Sequence, residues 1–486
     1  MKKNLAERYQ EYFKRFSEED KLQRFCTISN EDASAFLLDN IPLLDLPDKT
    51  LETVYAFRWW SFRKHLKKTE TGWVITEFLP DVPWAGKYNT INCSTGFHIR
   101  EGRWLKNSDE TVKQYIDFWL DEIGNPYSYS MWLAAAIQDY LEICDDHSFL
   151  TSRLSKITDW FEKRDRLSRD FSGLYYSIDD RDGMEYSISG NGFRPTLNSY
   201  VCADAYAISS FAYQCGNQEL QTKYLSIANE IKDKINHLLW TGNFYQTIPD
   251  NAGHKKTTYV NRPEIDALHD VKELVGFIPW YFDIAENGYE KAFDNLISDK
   301  VFYTQYGLTT ADQSHPRYME KHDHECLWNG PIWPFATSQV LVAAANMLRN
   351  KRNNPTTRFT KDNYYSLLKQ YASSHYRRDE TDKQILWIDE NMDPSDGKWL
   401  SRDILQGDGW KVETGGFERG ANYNHSLYCD LILSGLLGIG CTANGNVRVD
   451  PLIPDNWDHF TAENITIHGH KYTISYNKPQ ISILED

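Results

Sequence analysis

The stretch Gly190–Tyr200, GNGFRPTLNSY, leads from a glycine-rich loop into a helix. Apolar residues beyond it recur at spacings of four, three and three, which is the pattern of one helix face. These residues are Val201, Ala205, Ile208 and Phe211. Just upstream, the run DGMEYS holds two carboxylates, Asp182 and Glu185. An acidic loop held at the start of a rigid helix suits proton-transfer chemistry.

Long loops and helices alternate in this way up to about residue 440. Segments in which apolar residues recur every three or four positions predict helices near 4–16, 48–66, 108–121, 127–143, 150–164, 198–214, 217–239, 286–298, 331–349, 361–374 and 424–437. The intervening loops hold most of the Trp, Gly, Asp and Glu residues, which is typical of loops that build a functional face. The pattern therefore predicts helix pairs arranged in a ring, with long loops at one end.

After Gly438 the sequence changes to alternating strands. The predicted strands are 447–450, 465–468 and 471–476. We therefore expect a domain of residues 1–440 and a short β-strand appendage, 441–486, packed on it. Within the helical part, short strands at 73–76 and 173–178 are expected to form local hairpins.

Composition excludes several classes of function. The formal net charge is −16 and the Lys and Arg residues form no stripe, so neither a nucleic acid nor an anionic membrane is an expected partner. No apolar run approaches the roughly 18 residues of a membrane span, and the N-terminus lacks the apolar core of a signal peptide. We expect a soluble, cytoplasmic protein, and the sequence gives no prediction of its oligomeric state. Sixteen Trp and 30 Tyr exceed the needs of a core and indicate sugar-stacking surfaces.

The eight cysteines are scattered without a CxxC pair, which favours buried thiols in a reducing compartment. Cys93 and Cys326 lie in motif-rich segments, but neither has a recognisable His partner for a nucleophilic role. The run His322–Glu325, HDHE, offers zinc-ligand residue types, yet no helical HExxH pattern is present. Sugar hydrogen bonding or loop structure is the favoured interpretation, and we predict neither a metal nor a cofactor.

Three acidic loops each precede a predicted helix. The first holds Asp182 and Glu185, the second spans 321–334 and the third spans 408–426. In a ring whose helices run in the same sense, these loops converge at one mouth, so carboxylates distant in sequence can face each other. Glycoside hydrolysis needs such a pair, because one carboxyl protonates the glycosidic oxygen while the other activates water.

The run Trp328–Pro334, WNGPIWP, resembles the WxGPxW segment of glycoside hydrolases with an (α/α)6 toroid. The resemblance is to family 63, above all to its mannosylglycerate and glucosylglycerate hydrolase-like members, and more distantly to trehalases. The run Gly183–Ser187 looks like their Gly-x-Asp-x-Ser general-acid segment with Glu in place of Asp, and Arg194–Asn198 looks like the start of the following helix. With Phe57–Trp60 and Trp84–Thr90, these segments are also similar to the β-L-arabinofuranosidases of family 142.

The resemblance implies an all-α dominated (α/α)6 toroid with long loops at one face. It also implies an exo-acting, inverting hydrolase of α-glucosidase type acting on a small oligosaccharide or glycoside. Glu185 is the expected general acid and Glu418 the expected base, with Glu413, Asp408 and the loop residue Asp182 in reserve. The third loop lacks the Glu-x-Tyr-x-Pro form in which the family usually carries its base.

The expected sugar-binding residues come from the aromatic and loop segments that carry the resemblance. They are Arg58, Trp59, Trp60, Trp84, Lys87, Tyr88, Asn89, Arg194, Trp328, Asn329, Gly330, Trp333 and His425. Three alternatives remain open: a β-L-arabinofuranosidase, a catalytically silent carbohydrate-binding protein, and a polysaccharide lyase. The lyase would need a base beside an Arg or Lys that neutralises a uronate.

Overall fold

The computed structural model describes residues 4–249, 270–350, 356–442 and 444–486. Within these ranges the α-helices, α1 to α13 in chain order, are Leu5–Glu19, Ala33–Asn40, Lys49–His65, Thr95–Gly102, Ser108–Leu120, Leu133–Cys144, His147–Ser168, Pro195–Gln214, Gln218–Lys234, Ile278–Tyr281, Pro334–Asn350, Lys361–Ser373 and Leu400–Gly407. Two further helical segments are π-helices, at Ile235–Leu239 and Leu431–Leu436. No helix in the part of the chain described is both long enough and apolar enough to cross a membrane.

The helices form two layers that differ in burial. Fourteen of the 17 residues of α3 and 16 of the 20 of α8 are buried, whereas only 6 of the 22 residues of α7 are. A helix buried on all sides belongs inside a larger assembly, and a helix with one buried face belongs on its surface. The chain thus forms an (α/α)6 toroid, and the fold class expected from the sequence is confirmed.

Seven of the helices contact one another around a ring. Helix α4 packs on α6, α6 on α8, α8 on α10, α10 on α11, α11 on α12 and α12 on α3. The segment 422–430 joins α3 to α4: Arg58 of α3 donates to the carbonyl of Ser426, and Glu101 of α4 accepts the backbone N–H groups of Tyr428, Cys429 and Asp430. Buried charges at these two positions therefore hold the loop that precedes the last helical segment.

Strands β1 to β12 are short except near the C-terminus. They span Leu43–Asp45, Leu66–Thr69, Gly72–Ile75, Gly192–Phe193, Ile248–Pro249, Tyr376–Arg378, Gln384–Leu386, Ile439–Cys441, Val447–Val449, His459–Ile467, His470–Asn477 and Gln480–Glu485. The largest sheet is antiparallel, in the order β1-β10-β11-β12, and pairs Leu43 with Glu463. The expected C-terminal strands are present, but their sheet takes its first strand from the N-terminal region. The domain boundary at residue 440 stays a prediction.

Some elements differ from the sequence-based expectation. Helix α4 is not among the predicted helices, because nearly all of it is buried and it therefore lacks an amphipathic pattern. It contains Gly96. A Cβ on Gly96 would lie 2.1 Å from the Trp132 ring, so the glycine permits this close packing. The predicted helix 286–298 is a 3-10 helix, Glu290–Ile297, and the predicted strand 173–178 forms isolated bridges.

Candidate active site

A cavity of about 220 Å³ opens where the long loops meet. Its lining consists of Glu77, Phe78, Trp84, Ile91, Cys93, Tyr129, Asp180, Gly183, Glu185, His324, Glu325, Cys326, Trp333, Glu390, Arg419, Tyr423 and His425. Pockets for drug-sized ligands typically measure about 300–1,000 Å³, so this volume suits one monosaccharide ring. All three acidic loops contribute to the lining, which confirms that they converge.

Glu185 is held in the cavity wall through its backbone. Its backbone carbonyl accepts the N–H of Trp328, which ties the first acidic loop to the second. Gly183, at φ +70°, makes the turn before it. Desolvation in the wall, reinforced by the nearby charges of Asp180 and Glu390, raises the pKa of Glu185 to about 8. The carboxyl is therefore protonated at neutral pH, as a general acid requires.

Glu390 is the second carboxylate of the cavity and follows β7. It is 1% exposed, and its Oε1 accepts from Nε of Arg419 at 3.0 Å. Its Oε2 accepts from the thiol of Cys326 at 3.1 Å. The two contacts orient a carboxylate that lies in the same cavity as Glu185.

Arg419 is the only Lys or Arg among the described residues that line the cavity. Its Nη2 pairs with Glu325 at 2.5 Å while its Nε pairs with Glu390. The guanidinium lies 4.8 Å from the ring centre of Trp84, which is 38% exposed. Arg419 thus links the carboxylates of the cavity to its aromatic rim.

Three buried side chains, Glu77, Cys93 and His425, lie together in another part of the lining. The sulfur of Cys93 is 3.7 Å from Oε2 of Glu77 and 3.5 Å from Nε2 of His425. Tyr423 bonds both Oε1 of Glu77 and Nδ1 of His425 through its hydroxyl. Burial raises the pKa of Glu77 to about 8 and lowers the pKa of His425 well below its ordinary value.

Asp182 is a buried residue of the first loop and does not line the cavity. It is 3% exposed, forms an ion pair with Arg194 at 2.6 Å, and accepts from the hydroxyls of Ser130, Ser177 and Thr196. Arg194, expected to bind sugar, is fully buried and also donates to the loop carbonyl of Gly190. Both residues therefore shape the loop that carries Glu185.

Glu418 does not line the cavity. Its side chain is ion-paired with Arg402 and Arg377, and its backbone carbonyl accepts from Arg24. Glu418 has φ +48°, so the chain turns sharply there, and it is the next residue, Arg419, that enters the lining. The reserve residues Asp408 and Glu413 are exposed and also lie outside the lining.

The other expected sugar-binding residues divide into two groups. Trp84, Trp333 and His425 line the cavity. The remainder lie outside the lining: Arg58, Trp59, Trp60, Lys87, Tyr88, Asn89, Trp328, Asn329 and Gly330.

Those outside the lining have structural contacts instead. Trp59 and Trp60 are core residues on α3, and Arg58 bonds the loop 422–430 as described. Asn89 bonds the backbone of Val82 and so shapes the loop that carries Trp84. Trp328 stacks on Trp333, with 4.5 Å between ring centres, and backs the cavity wall.

Glu390 was missed in the sequence, although a signal was present. The run Glu390–Pro394, ENMDP, has the Glu-x-Tyr-x-Pro form with Met in place of Tyr. Glu77 has no comparable motif. It follows β3 in a short aromatic segment, and only the packing of segment 422–430 brings it near His425.

The chain is similar to known proteins over most of its length. A family model described as the mannosylglycerate hydrolase MGH1-like glycoside hydrolase domain matches residues 87–426. A solved structure named "Sialidase" is 31% identical with a TM-score of 0.87, over 99% of this chain and 43% of that one. The chain therefore spans less than half the length of that relative.

Two more distant solved structures share the fold. The GH78 family rhamnosidase of a Bacillus species is 12% identical with a TM-score of 0.56, over 92% of this chain and 42% of that one. The GH63 mannosylglycerate hydrolase from Thermus thermophilus, in complex with glucose, is 11% identical with a TM-score of 0.54, over 78% of this chain and 100% of that one. The toroid is thus common to several classes of glycosidase.

Proposed function

Since the chain belongs to the family of mannosylglycerate hydrolase MGH1-like glycoside hydrolases, we propose that it is an exo-acting, inverting glycosidase with Glu185 as acid and Glu390 as base. The observation that carries the proposal is the contrast between these two carboxyls within one cavity. Glu185 has a pKa raised to about 8, whereas Glu390 is ion-paired with a buried arginine. A carboxyl shielded from water is suited to donate a proton as a general acid, and a carboxylate held beside a cation is suited to act as a general base.

The proposed reaction is a single displacement. Glu185 protonates the glycosidic oxygen as the bond to the anomeric carbon breaks, and Glu390 accepts a proton from the water that attacks the opposite face. Glu390 replaces Glu418 as our proposed base, because Glu418 is held by Arg402 and Arg377 outside the cavity. Arg419 orients Glu390 through its Nε.

The size and walls of the cavity support exo action. A volume of about 220 Å³ accommodates one ring, and Trp84 at the rim offers a flat surface on which the leaving group can stack. We therefore propose a small oligosaccharide or glycoside as substrate, with α-glucosidase-type activity as the first expectation.

The engagement of Arg419, the one cation among the described lining residues, argues against a lyase. Glu77, Glu185, Glu325 and Glu390 lie in the lining, and Arg419 is engaged by two of them. No other Lys or Arg among the lining residues described could neutralise a uronate. A neutral sugar fits this environment better than an anionic one.

The decisive experiment is a screen of aryl glycosides and natural disaccharides, including α-glucosides, α-rhamnosides, sialosides and β-L-arabinofuranosides. The anomeric form of the first product is read by NMR. We expect turnover of a neutral glycoside with inversion. Retention of configuration would exclude Glu390 as a base acting on water, and turnover of sialosides alone would contradict the choice of a neutral sugar.

A further inference from the structure

We propose that Glu77, Cys93 and His425 bind a zinc ion whose open coordination position faces the cavity. This cluster takes no part in the acid–base pair, and the sequence alone predicted no metal. The proposal concerns the ion alone and stands whichever sugar the cavity accepts.

The distances within the cluster match zinc coordination. With Zn–S near 2.3 Å and Zn–N or Zn–O near 2.0–2.2 Å, a tetrahedral site places the sulfur about 3.6 Å from each of the other two ligand atoms. The observed separations from the sulfur of Cys93 are 3.5 Å to His425 Nε2 and 3.7 Å to Glu77 Oε2. One potential ligand atom from each of the three residues lies within 4.8 Å of the other two.

The neighbours of the cluster orient its ligands. Nδ1 of His425 is engaged by the Tyr423 hydroxyl, so Nε2 is left to point towards Cys93. The same hydroxyl donates to Oε1 of Glu77 at 2.9 Å, which leaves Oε2, 3.7 Å from the sulfur of Cys93, as the ligand atom. Bonds of this kind to the far atoms of the ligands are a regular feature of zinc sites.

No Lys or Arg among the described residues competes with a metal ion for the cluster. Glu77 and His425 are 3% exposed, and no Lys or Arg among the described residues pairs with Glu77. The cation of the lining, Arg419, is engaged by Glu325 and Glu390. A divalent ion would balance a buried thiolate and carboxylate with a neutral imidazole.

The ligand types select the metal. Thiolate and imidazole suit zinc, whereas Mg²⁺ and Ca²⁺ prefer oxygen ligands. Three protein ligands leave a fourth position, and all three residues line the cavity. A sugar hydroxyl or a water molecule is the ligand expected there.

The test is the zinc content of the full chain purified without chelators, measured by mass spectrometry with Cys93→Ser and His425→Ala as the informative variants. We expect one zinc per chain in the wild type and less than a tenth of that in both variants. Two matched controls should keep the metal. Cys326→Ser removes the other cavity thiol, which lies with His324 and Glu325, and Cys215→Ser removes a half-buried thiol near Thr151.

Substitution by Co²⁺ gives a second readout that is independent of turnover. A thiolate-to-cobalt charge-transfer band should appear in the wild type and in Cys326→Ser, and should be absent in Cys93→Ser. Circular dichroism establishes that each variant is folded. The proposal is overturned if wild-type protein dialysed against zinc retains none, or if folded Cys93→Ser retains as much zinc as the wild type.

Discussion

Glu185 and Glu390 lie in one cavity, but only Glu390 has a buried arginine as its ion-pair partner. Glu185 is shielded from water beside two other acidic groups, Asp180 and Glu390, which raises its pKa to about 8. Two chemically similar side chains thus lie in different surroundings, one shielded from water and the other ion-paired. The predictions for catalysis depend on this difference.

Glu185→Gln should reduce turnover according to the leaving group. Loss of a general acid costs about 10²–10⁴-fold where the leaving oxygen needs a proton, and much less where the leaving group is an activated phenol. The measurement is kcat/KM for a series of aryl glycosides of increasing phenol pKa. An equal loss across the series would show that Glu185 is not the proton donor.

Glu390→Gln should reduce kcat by about 10²–10⁴-fold for every substrate, because water activation does not depend on the leaving group. Glu418→Gln is the matched control. It should retain turnover but lose up to about 3 kcal/mol of unfolding free energy, since it removes the buried carboxylate that pairs with Arg402 and Arg377. Urea unfolding and steady-state kinetics of both variants check this. The opposite pattern would restore Glu418 as the base.

The pH profile should show an alkaline limb near pH 8. Glu185 must be protonated to act, and its pKa in the folded chain is about 8, so kcat/KM falls as pH rises through that value. Because the pKa of Glu185 is raised above its ordinary value, the folded chain holds this proton more tightly than the unfolded chain does. The free energy of unfolding therefore decreases between about pH 4.5 and pH 8. In Glu185→Gln, assayed with an activated phenyl glycoside, the alkaline limb should vanish. If it persists unchanged, another group sets it.

Trp84→Ala should weaken substrate binding more than it slows chemistry. The ring is 38% exposed at the rim, and loss of about 0.5–1.5 kcal/mol of stacking corresponds to roughly a two- to tenfold rise in KM. Tyr213→Ala, at an exposed position, serves as the control and should leave both constants unchanged. A fall in kcat with KM unaltered would place Trp84 closer to the reacting atoms than we propose.

Gly96→Ala should destabilise the toroid by about 1–3 kcal/mol, because the new methyl group must displace the fully buried ring of Trp132. Gly407→Ala is the control, since no atom lies within 4 Å of a Cβ at that position. Denaturant unfolding of both variants gives the comparison. Equal stability of the two would mean that α4 shifts without cost.

The sequence alone predicted the elements whose signal is local. The helical period from Val201 to Phe211 and the strands near 471–476 were both confirmed, because side-chain spacing along one element reflects which face is buried. It also predicted that Glu185 lies in a loop converging with two others. Helix α4 gave no such signal, since it is buried nearly all round.

The identity of the second carboxylate was decided by tertiary structure. Glu418 and Arg419 are adjacent in the third acidic loop, yet a left-handed backbone at residue 418 sends one side chain to Arg402 and places the other in the cavity. Arg419 then orients Glu390, which comes from a different segment. Composition and motif spacing determined that carboxylates meet at one mouth. Which of them share the cavity depends on contacts between distant segments, such as those of Trp328 with Glu185 and of Arg419 with Glu390, and such contacts leave no periodic trace in the sequence.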